Sequence, residues 1–321
     1  MRSGAADRWI RALRPPKAPV DPWRPLGVLR EEERTPQGAI EEGLTVFLAG
    51  AECPWTCVFC DLWRHTLDGP TPPGAIPRQI ELALGGSPPP SGGFIKLYNA
   101  SNFFDPRAVP REDWPAIAKW LAPFERVVVE CHPKMVGKGC QRFAELLQGR
   151  LEVAMGLETA QPEGLARLNK GMTVEDFDRA AGRLLAAGIA VRAFVLVGAP
   201  YVEPREAIDW AVRSAEHALE AGATVVSLIP VRGGNGELER LAAEGLFTPP
   251  TLADIEQAFD RSLERSADSC GLVQIDAWDL ERFATCTHCA KARLERLTRI
   301  RLSGEPEPRE ACEACDEGGE C

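Results

Sequence analysis

From Leu44 onward the chain alternates short apolar runs with longer stretches of helical period. That pattern commits it to repeated strand–helix units and a mainly parallel sheet. Strands are predicted at 44–49, 94–98, 127–131, 151–156, 191–197 and 224–229, with a seventh at 272–276. Helices are predicted between them at 78–84, 114–121, 141–147, 174–187, 205–221 and 252–265. The helix from Val174 has Thr173 as a cap, Asp176 in its first turn and Gly188 after its end. Such units build an α/β fold, a partial (β/α)6 TIM-like barrel, in which functional side chains gather just after the carboxyl ends of strands. Residues 1–43, rich in Pro, Arg and Glu and without a steady period, are expected to form an N-terminal arm or irregular lead-in. The core is expected over 44–280, with a small Cys-rich metal-binding extension over 281–321.

Charge and leader signals narrow the function classes. A net charge of -10 disfavours a protein devoted to gripping polyanions, although a local basic patch can still do so. No apolar run reaches the length of a membrane span. Basic residues from Arg2 to Lys17 have no apolar segment behind them, so no secretory signal and no membrane partner are expected. A cytoplasmic location follows as the expectation. There thiols stay reduced, and clusters among the 11 cysteines read as metal ligands before disulfides.

One such cluster follows the first predicted strand: Cys53-Pro-Trp-Thr-Cys57-Val-Phe-Cys60. Three thiolates in a CxxxCxxC loop can ligate three irons of a [4Fe–4S] cube and leave the fourth open. An open iron can bind a substrate or cofactor. Zinc is the competing ion, but zinc loops favour CxxC pairs. Isolated cysteines pack as small apolar residues; three within eight positions on a loop do not fit that reading.

With Phe59 as the aromatic before the last cysteine, this loop resembles that of the radical S-adenosylmethionine (SAM) superfamily. Gly156–Ala160 ("GLETA") and Leu168–Pro200 resemble its elongator-type core. Phe94–Pro110 and Val127–Val136 are similar to the branch containing the radical SAM subunit of archaeosine synthase. The resemblance implies SAM on the open iron, reductive cleavage to a 5′-deoxyadenosyl radical, and an electron donor such as flavodoxin or ferredoxin. It also implies the catalytic ligands Cys53, Cys57 and Cys60, with Phe59, Asn99, Ser101, Glu130, Glu158, Val197 and Gly198 beside SAM.

Residue chemistry alone leaves most of those roles open. Asn99 and Ser101 are also ordinary turn residues. Glu130, ending a Val-Val-Val run, needs a partner, which can be a ligand or a neighbouring helix. Glu158 can accept hydrogen bonds from ribose or the SAM ammonium, or form an ion pair at the rim. Val197-Gly198 permits close backbone approach or is a plain turn. Arg192 is expected to face solvent rather than Glu158. Arg232, in a glycine-rich loop, meets an anionic substrate or solvent.

The tail adds Cys286-Thr-His-Cys289 and Cys312-Glu-Ala-Cys315, two CxxC pairs with zinc-ribbon spacing. Zinc on all four is the first expectation and an auxiliary iron–sulfur cluster the second, with Cys321 spare. Lys291, Arg293, Arg296, Arg299 and Arg301 between the pairs form either one basic face for RNA or a solvated charged face. Cys131, Cys140 and Cys270 are expected to be packing residues, and His65, His132 and His217 are given no role.

The function expected is therefore radical SAM chemistry on an unidentified substrate: a tRNA base by the branch resemblance, a small molecule or a peptide by the acidic charge. The alternative is a non-catalytic iron–sulfur or zinc protein acting as an electron carrier or nucleic-acid-binding adaptor.

Overall fold

A computed structural model describes residues 4–87, 89, 91–234 and 236–318; Cys321 lies outside them. One sheet contains eight strands in sequence order: β1 (Gly27–Arg34), β2 (Ile40–Phe47), β3 (Phe94–Tyr98), β4 (Arg126–Glu130), β5 (Arg150–Glu158), β6 (Ala190–Val197), β7 (Val225–Pro230) and β8 (Leu272–Ile275). β1 pairs antiparallel with β2, and each later neighbouring pair is parallel. The sheet curls into an open half barrel.

The helices are α1 (Gly4–Leu13), α2 (Ala75–Ala83), α3 (Trp114–Leu121), α4 (Lys138–Ala144), α5 (Pro162–Arg167) and α6 (Val174–Ala186). Then come α7 (Ala207–Glu220), α8 (Glu237–Ala243), α9 (Leu252–Ser266), α10 (Ala290–Ser303) and α11 (Glu313–Gly318). Apolar faces of the crossover helices cover the strands. Ile76, Ile117, Phe143, Phe177, Ala215 and Phe259 join Val46, Ile95, Val129 and Val153 in one core. The expected start of α6 is present, with Thr173 and Asp176 closing a capping box.

The lead-in expected over 1–43 is corrected by α1 and β1. β1 hides in the sequence because its inward face is acidic. Leu29, Glu31 and Glu33 are its less exposed positions and Val28, Arg30 and Glu32 its exposed ones, so the two-residue period exists without an apolar signature.

Those inward carboxylates build a charged plug near the amino ends of the strands. Glu33 is 2% exposed and receives both terminal nitrogens of Arg192, at 2.8 and 2.9 Å. It also meets Lys96 Nζ at 2.5 Å, Arg126 Nη2 at 3.1 Å and Gln274 Nε2 at 3.1 Å. Glu152 takes Arg192 Nε at 2.5 Å and Arg126 Nη1 at 3.3 Å. Arg192, expected to face solvent, is 1% exposed and lies inside this plug, away from Glu158. Burial works against the charge on Glu33, but Arg192 and Lys96 outweigh it and hold its pKa well below the ordinary carboxylate value.

The C-terminal extension is fixed to the body. Leu297 and Ile300 of α10 enter the core. Arg293 Nη2 and Arg296 Nη1 lie 2.6 and 3.2 Å from the buried Glu256 carboxylate, and Arg296 Nη2 lies 2.9 Å from Asp260. The basic face weighed for α10 is therefore not a free surface: Arg293 and Arg296 point inward, Arg299 pairs with Glu307 at 2.8 Å, and Arg301 donates to the Glu32 carbonyl.

The plug yields a pH prediction. Glu33→Gln is expected to lower the unfolding free energy by about 3–5 kcal/mol at neutral pH, because it strands buried cations. A carboxylate with a depressed folded pKa stabilises above its unfolded pKa, and that contribution is lost as pH falls through the folded value. Urea denaturation should therefore show the gap between wild type and variant shrinking as pH drops below about 4. A gap independent of pH contradicts this.

Candidate active site at the open end of the barrel

At the carboxyl ends of the strands the chain places the three-cysteine loop. Little regular structure holds it, so side chains do. Ala49 N donates to Gln79 Oε1 at 2.8 Å and Ala51 N to Thr71 Oγ1 at 2.9 Å. Val58 N donates to the Leu168 carbonyl at 3.0 Å. Asn169 Nδ2 donates to the Thr56 carbonyl at 3.1 Å and to Thr56 Oγ1 at 2.8 Å. From the other side, α1 straps the loop: Asp7 accepts from Thr56 Oγ1 at 2.6 Å, and Arg11 and Arg14 reach Glu52 at 2.6 and 2.8 Å.

Cys57 is buried, while Cys53 and Cys60 are half-buried. Burial raises all three thiols, Cys57 to about 12, against the opposing pull of Lys170 on Cys53 and Cys57. Without a metal these groups stay protonated; ligation would require iron to displace their protons. Asn102 Nδ2 donates to Cys53 Sγ at 3.4 Å, and its Oδ1 accepts from His132 N. The His132 ring stacks on Trp55 of the loop at 3.7 Å, and its Nε2 lies 3.0 Å from the Lys170 carbonyl. Sequence reasoning gave His132 no role and passed over Asn102, Trp55 and Lys170. Asn102 and His132, just after strands, and Trp55, inside the cysteine loop, carried an available signal; Lys170, which follows α5, did not.

The expected cofactor residues fall around this loop in differing environments. Asn99 is 0% exposed, and neither Nδ2 nor Oδ1 has a hydrogen-bond partner; Ser101 Oγ is likewise buried and unpartnered. Such atoms carry a desolvation cost until a polar ligand meets them. An amino acid moiety like that of SAM, with an ammonium and a carboxylate, fits this donor and acceptor set. Among the described residues Glu130 makes no salt bridge to a neighbouring helix; its Oε2 accepts from Asn99 N at 3.0 Å and so shapes that turn. Burial pushes Glu130 up to about 7, with the Asn99 and Ala100 amides pulling it down.

Glu158 is buried and ion-paired to Lys170 Nζ at 2.7 Å. A register shift between Gly156 and Glu158 and a left-handed φ of 68° turn it off the strand. Ala100, at φ 52°, and Asn169, at φ 53°, are also left-handed beside the loop. Non-glycine residues held this way store strain, which gathers at functional sites. Phe59 packs with Leu168, Leu196 and Val231 in a second apolar cluster, and Val197 is 1% exposed. Gly198 has φ 78°, and a Cβ there would lie 3.0 Å from the Pro250 ring, which accounts for glycine at that position. Arg232 is held by Asp276 at 3.0 Å and by the Trp278 carbonyl rather than lying free in a loop.

At the far end of the chain Cys286, Cys289, Cys312 and Cys315 converge, all four sulfurs lying within 4.8 Å of one another. Two of the sulfur–sulfur separations are Cys286 to Cys312 at 3.9 Å and Cys289 to Cys315 at 3.5 Å. A tetrahedral ion with metal–sulfur bonds of ~2.3 Å separates its ligands by about 3.8 Å, so the group suits one ion. A cubane spreads its thiolates over four irons and holds them farther apart. Amide N–H groups of Cys289 and His288 pull the Cys286 thiol down to about 6. Cys315 is disulfide-bonded in the structure, so its service as a ligand requires reduction. Cys131 and Cys140 are buried as expected, but Cys270 is exposed and packs nothing.

Gly156 tests the arrangement around Glu158. A Cβ there would overlap Glu158 Oε1 and lie 2.7 Å from Lys170 Nζ. Gly156→Ala is expected to destabilise by about 1–3 kcal/mol. Gly182→Ala, on the open face of α6 with nothing within 4 Å, is expected to stabilise by roughly 0.5–1 kcal/mol. Chemical denaturation of both variants checks the contrast; equal effects contradict it.

No protein-family model matches the chain. It is 27% identical over 230 residues to archaeosine synthase subunit beta of Methanosarcina acetivorans, covering 68% of this chain and 66% of that one. An uncharacterized protein of Methanocaldococcus jannaschii is 25% identical over 216 residues, covering 64% and 59%. The matches thus span less than two thirds of these relatives' lengths. Among solved structures, Elp3 of Methanocaldococcus infernus superposes with a TM-score of 0.52 at 13% identity, covering 75% of this chain and 60% of that one. A radical SAM methyltransferase from Sphaerobacter thermophilus superposes at 0.50 with 14% identity, covering 85% and 81%. At those identities the likeness is one of fold. The chain has the half-barrel fold of radical SAM proteins and resembles their elongator-type members, on the branch that contains archaeosine synthase subunit beta.

Proposed function

We propose that the chain is a radical SAM enzyme in which Cys53, Cys57 and Cys60 hold a [4Fe–4S] cluster. The observation that carries this reading is the three-cysteine loop after β2, contacted at Cys53 by Asn102 of the turn after β3, the turn in which the Asn99 amide and Ser101 hydroxyl are unpartnered. Held by these three thiolates, a cluster would leave one iron open to a ligand such as SAM and, once reduced by an external donor, would supply the electron for reductive cleavage of SAM. The protein's own residues orient and shield. Asn99 and Ser101 meet the methionyl polar groups, and Glu130 fixes their turn. The Glu158–Lys170 pair gives a fixed charge pattern next to the loop, from which Glu158 can accept a ribose hydroxyl. Phe59, Val197 and Gly198 form the apolar side.

The substrate reading is a tRNA base, supported by the likeness to archaeosine synthase subunit beta. That name also supports action alongside a partner subunit. The electron would come from a donor such as reduced flavodoxin or ferredoxin, as the radical SAM chemistry requires. The four-cysteine group is assigned to zinc, supported by sulfur separations that suit one tetrahedral ion. No helix among the described residues is long and apolar enough to cross a membrane.

Anaerobic reconstitution of the full chain with iron and sulfide, followed by SAM and dithionite, is expected to yield 5′-deoxyadenosine. Cys57→Ala is expected to lose both cluster and product. An intact cluster that yields no 5′-deoxyadenosine contradicts the enzymatic reading and favours an electron carrier or adaptor.

Metal analysis of the same protein is expected to give about four irons and about one zinc per chain. The double variant Cys286→Ser/Cys312→Ser should lose the zinc and keep the iron. Loss of further iron instead marks an auxiliary cluster.

A further inference from the structure

A cleft of about 270 Å³ opens between the loop after β3 and the loop after β4, lined by Phe104, Arg111, Trp114, Lys138 and Arg142 among others. Both loops leave the carboxyl ends of their strands, so the cleft lies on the same rim as the cysteine loop. It is also joined to that loop: His132, in the β4–α4 connection that leads into Lys138 at the start of α4, stacks on Trp55.

Three properties set this cleft apart. Its charge is of one sign, since Arg111, Lys138 and Arg142 line it and no carboxylate does. Its cations are not neutralised: among the described residues none of the three forms an ion pair, and Arg111 lies over the Trp114 ring at 6.0 Å, whereas nearby Lys134 is 3.4 Å from Asp176. Asp113, adjacent in sequence, is turned away to accept Gly74 N at 2.9 Å. Its floor holds a donor without an acceptor, because Trp114 is 5% exposed and its Nε1 has no hydrogen-bond partner. Across a protein of net charge -10, three cations without a carboxylate partner, beside a buried N–H without an acceptor, form a site that wants an anion. The volume is below the ~300 Å³ usual for a whole small-molecule site, so it suits a phosphate with part of its nucleotide.

We propose that this cleft is a phosphate-binding subsite that docks the RNA backbone beside the reaction site. Arg111, Lys138 and Arg142 neutralise phosphate charge, and the Trp114 indole N–H donates to a phosphate oxygen. The assignment rests on the tRNA reading above. It gives that reading what the net charge alone withholds, a local positive surface next to the chemistry. α10 does not provide one, since its arginines are turned inward or paired.

The test uses the full-length protein, unmodified tRNA transcripts and inorganic pyrophosphate. Tighter tRNA binding at low salt is expected. The triple variant Arg111→Ala/Lys138→Ala/Arg142→Ala should weaken it roughly tenfold or more and flatten the slope of log affinity against log salt by about 2–3. Cleavage of SAM without RNA should be unchanged. In parallel, the Trp114 indole N–H resonance, identified by its loss in Trp114→Phe, should shift when pyrophosphate is added to wild type and stay put in the triple variant. Unchanged tRNA affinity and salt slope in the triple variant overturn the docking role while the tRNA reading stands. Absence of tRNA binding by wild type overturns the docking role together with the tRNA reading, and a Trp114 shift would then leave only an anion site. No response in either arm overturns the site itself.

Discussion

The rest of the architecture depends on one buried carboxylate. Glu33 sits on an edge strand, yet its partners come from β3, β4, β6 and β8. A flat sheet could not bring those side chains to one point; a curled one must. Taking several charges out of water costs several kcal/mol per ion, and only near-complete pairing offsets it. Glu33 has that pairing, with a bidentate Arg192 and two further cations. The plug therefore fills the amino-end interior and selects the strand curvature that also spreads the carboxyl-end loops around a common opening.

The two ends of the barrel are built on opposite principles. At the plug every charge is matched. At the opening, Asn99 and Ser101 keep unpartnered polar atoms, Ala100, Glu158 and Asn169 hold left-handed backbone, and three thiols, one buried and two half-buried, have raised pKa. Each of these features is unfavourable in isolation. They lie together because the surrounding packing fixes them, as expected where polar and metal ligands are to be received. The four-cysteine group differs in kind. Its four sulfurs lie close enough together to hold one metal ion, and α10 anchors the group through Glu256 to the body.

The parallel strands and both cysteine groups were legible in the sequence because their signals are local: an apolar run, a spacing, a cap. What escaped depended on partners far along the chain. β1 was hidden because its inward positions are Glu31 and Glu33, which look like surface residues until Lys96 and Arg192 are seen. Arg192 was misplaced for the same reason. The arginines of α10 read as a basic face because the acids that claim them, Glu256 and Asp260, lie on another helix. Lys170 is only twelve positions after Glu158, yet its role appears only when α5 folds the chain back. Glu158 was legible as a functional candidate, with an ion pair among its readings, but its partner was not.

The central claim is that the open end of the barrel presents a three-thiolate cluster to SAM. Electron paramagnetic resonance of the anaerobically reduced, reconstituted protein tests it most directly. The account predicts that adding SAM shifts the cluster's g values, because the amino acid end of SAM occupies the open iron, and that Asn99→Ala weakens the SAM dependence of that shift. An intact cluster whose spectrum is the same with and without saturating SAM would contradict it.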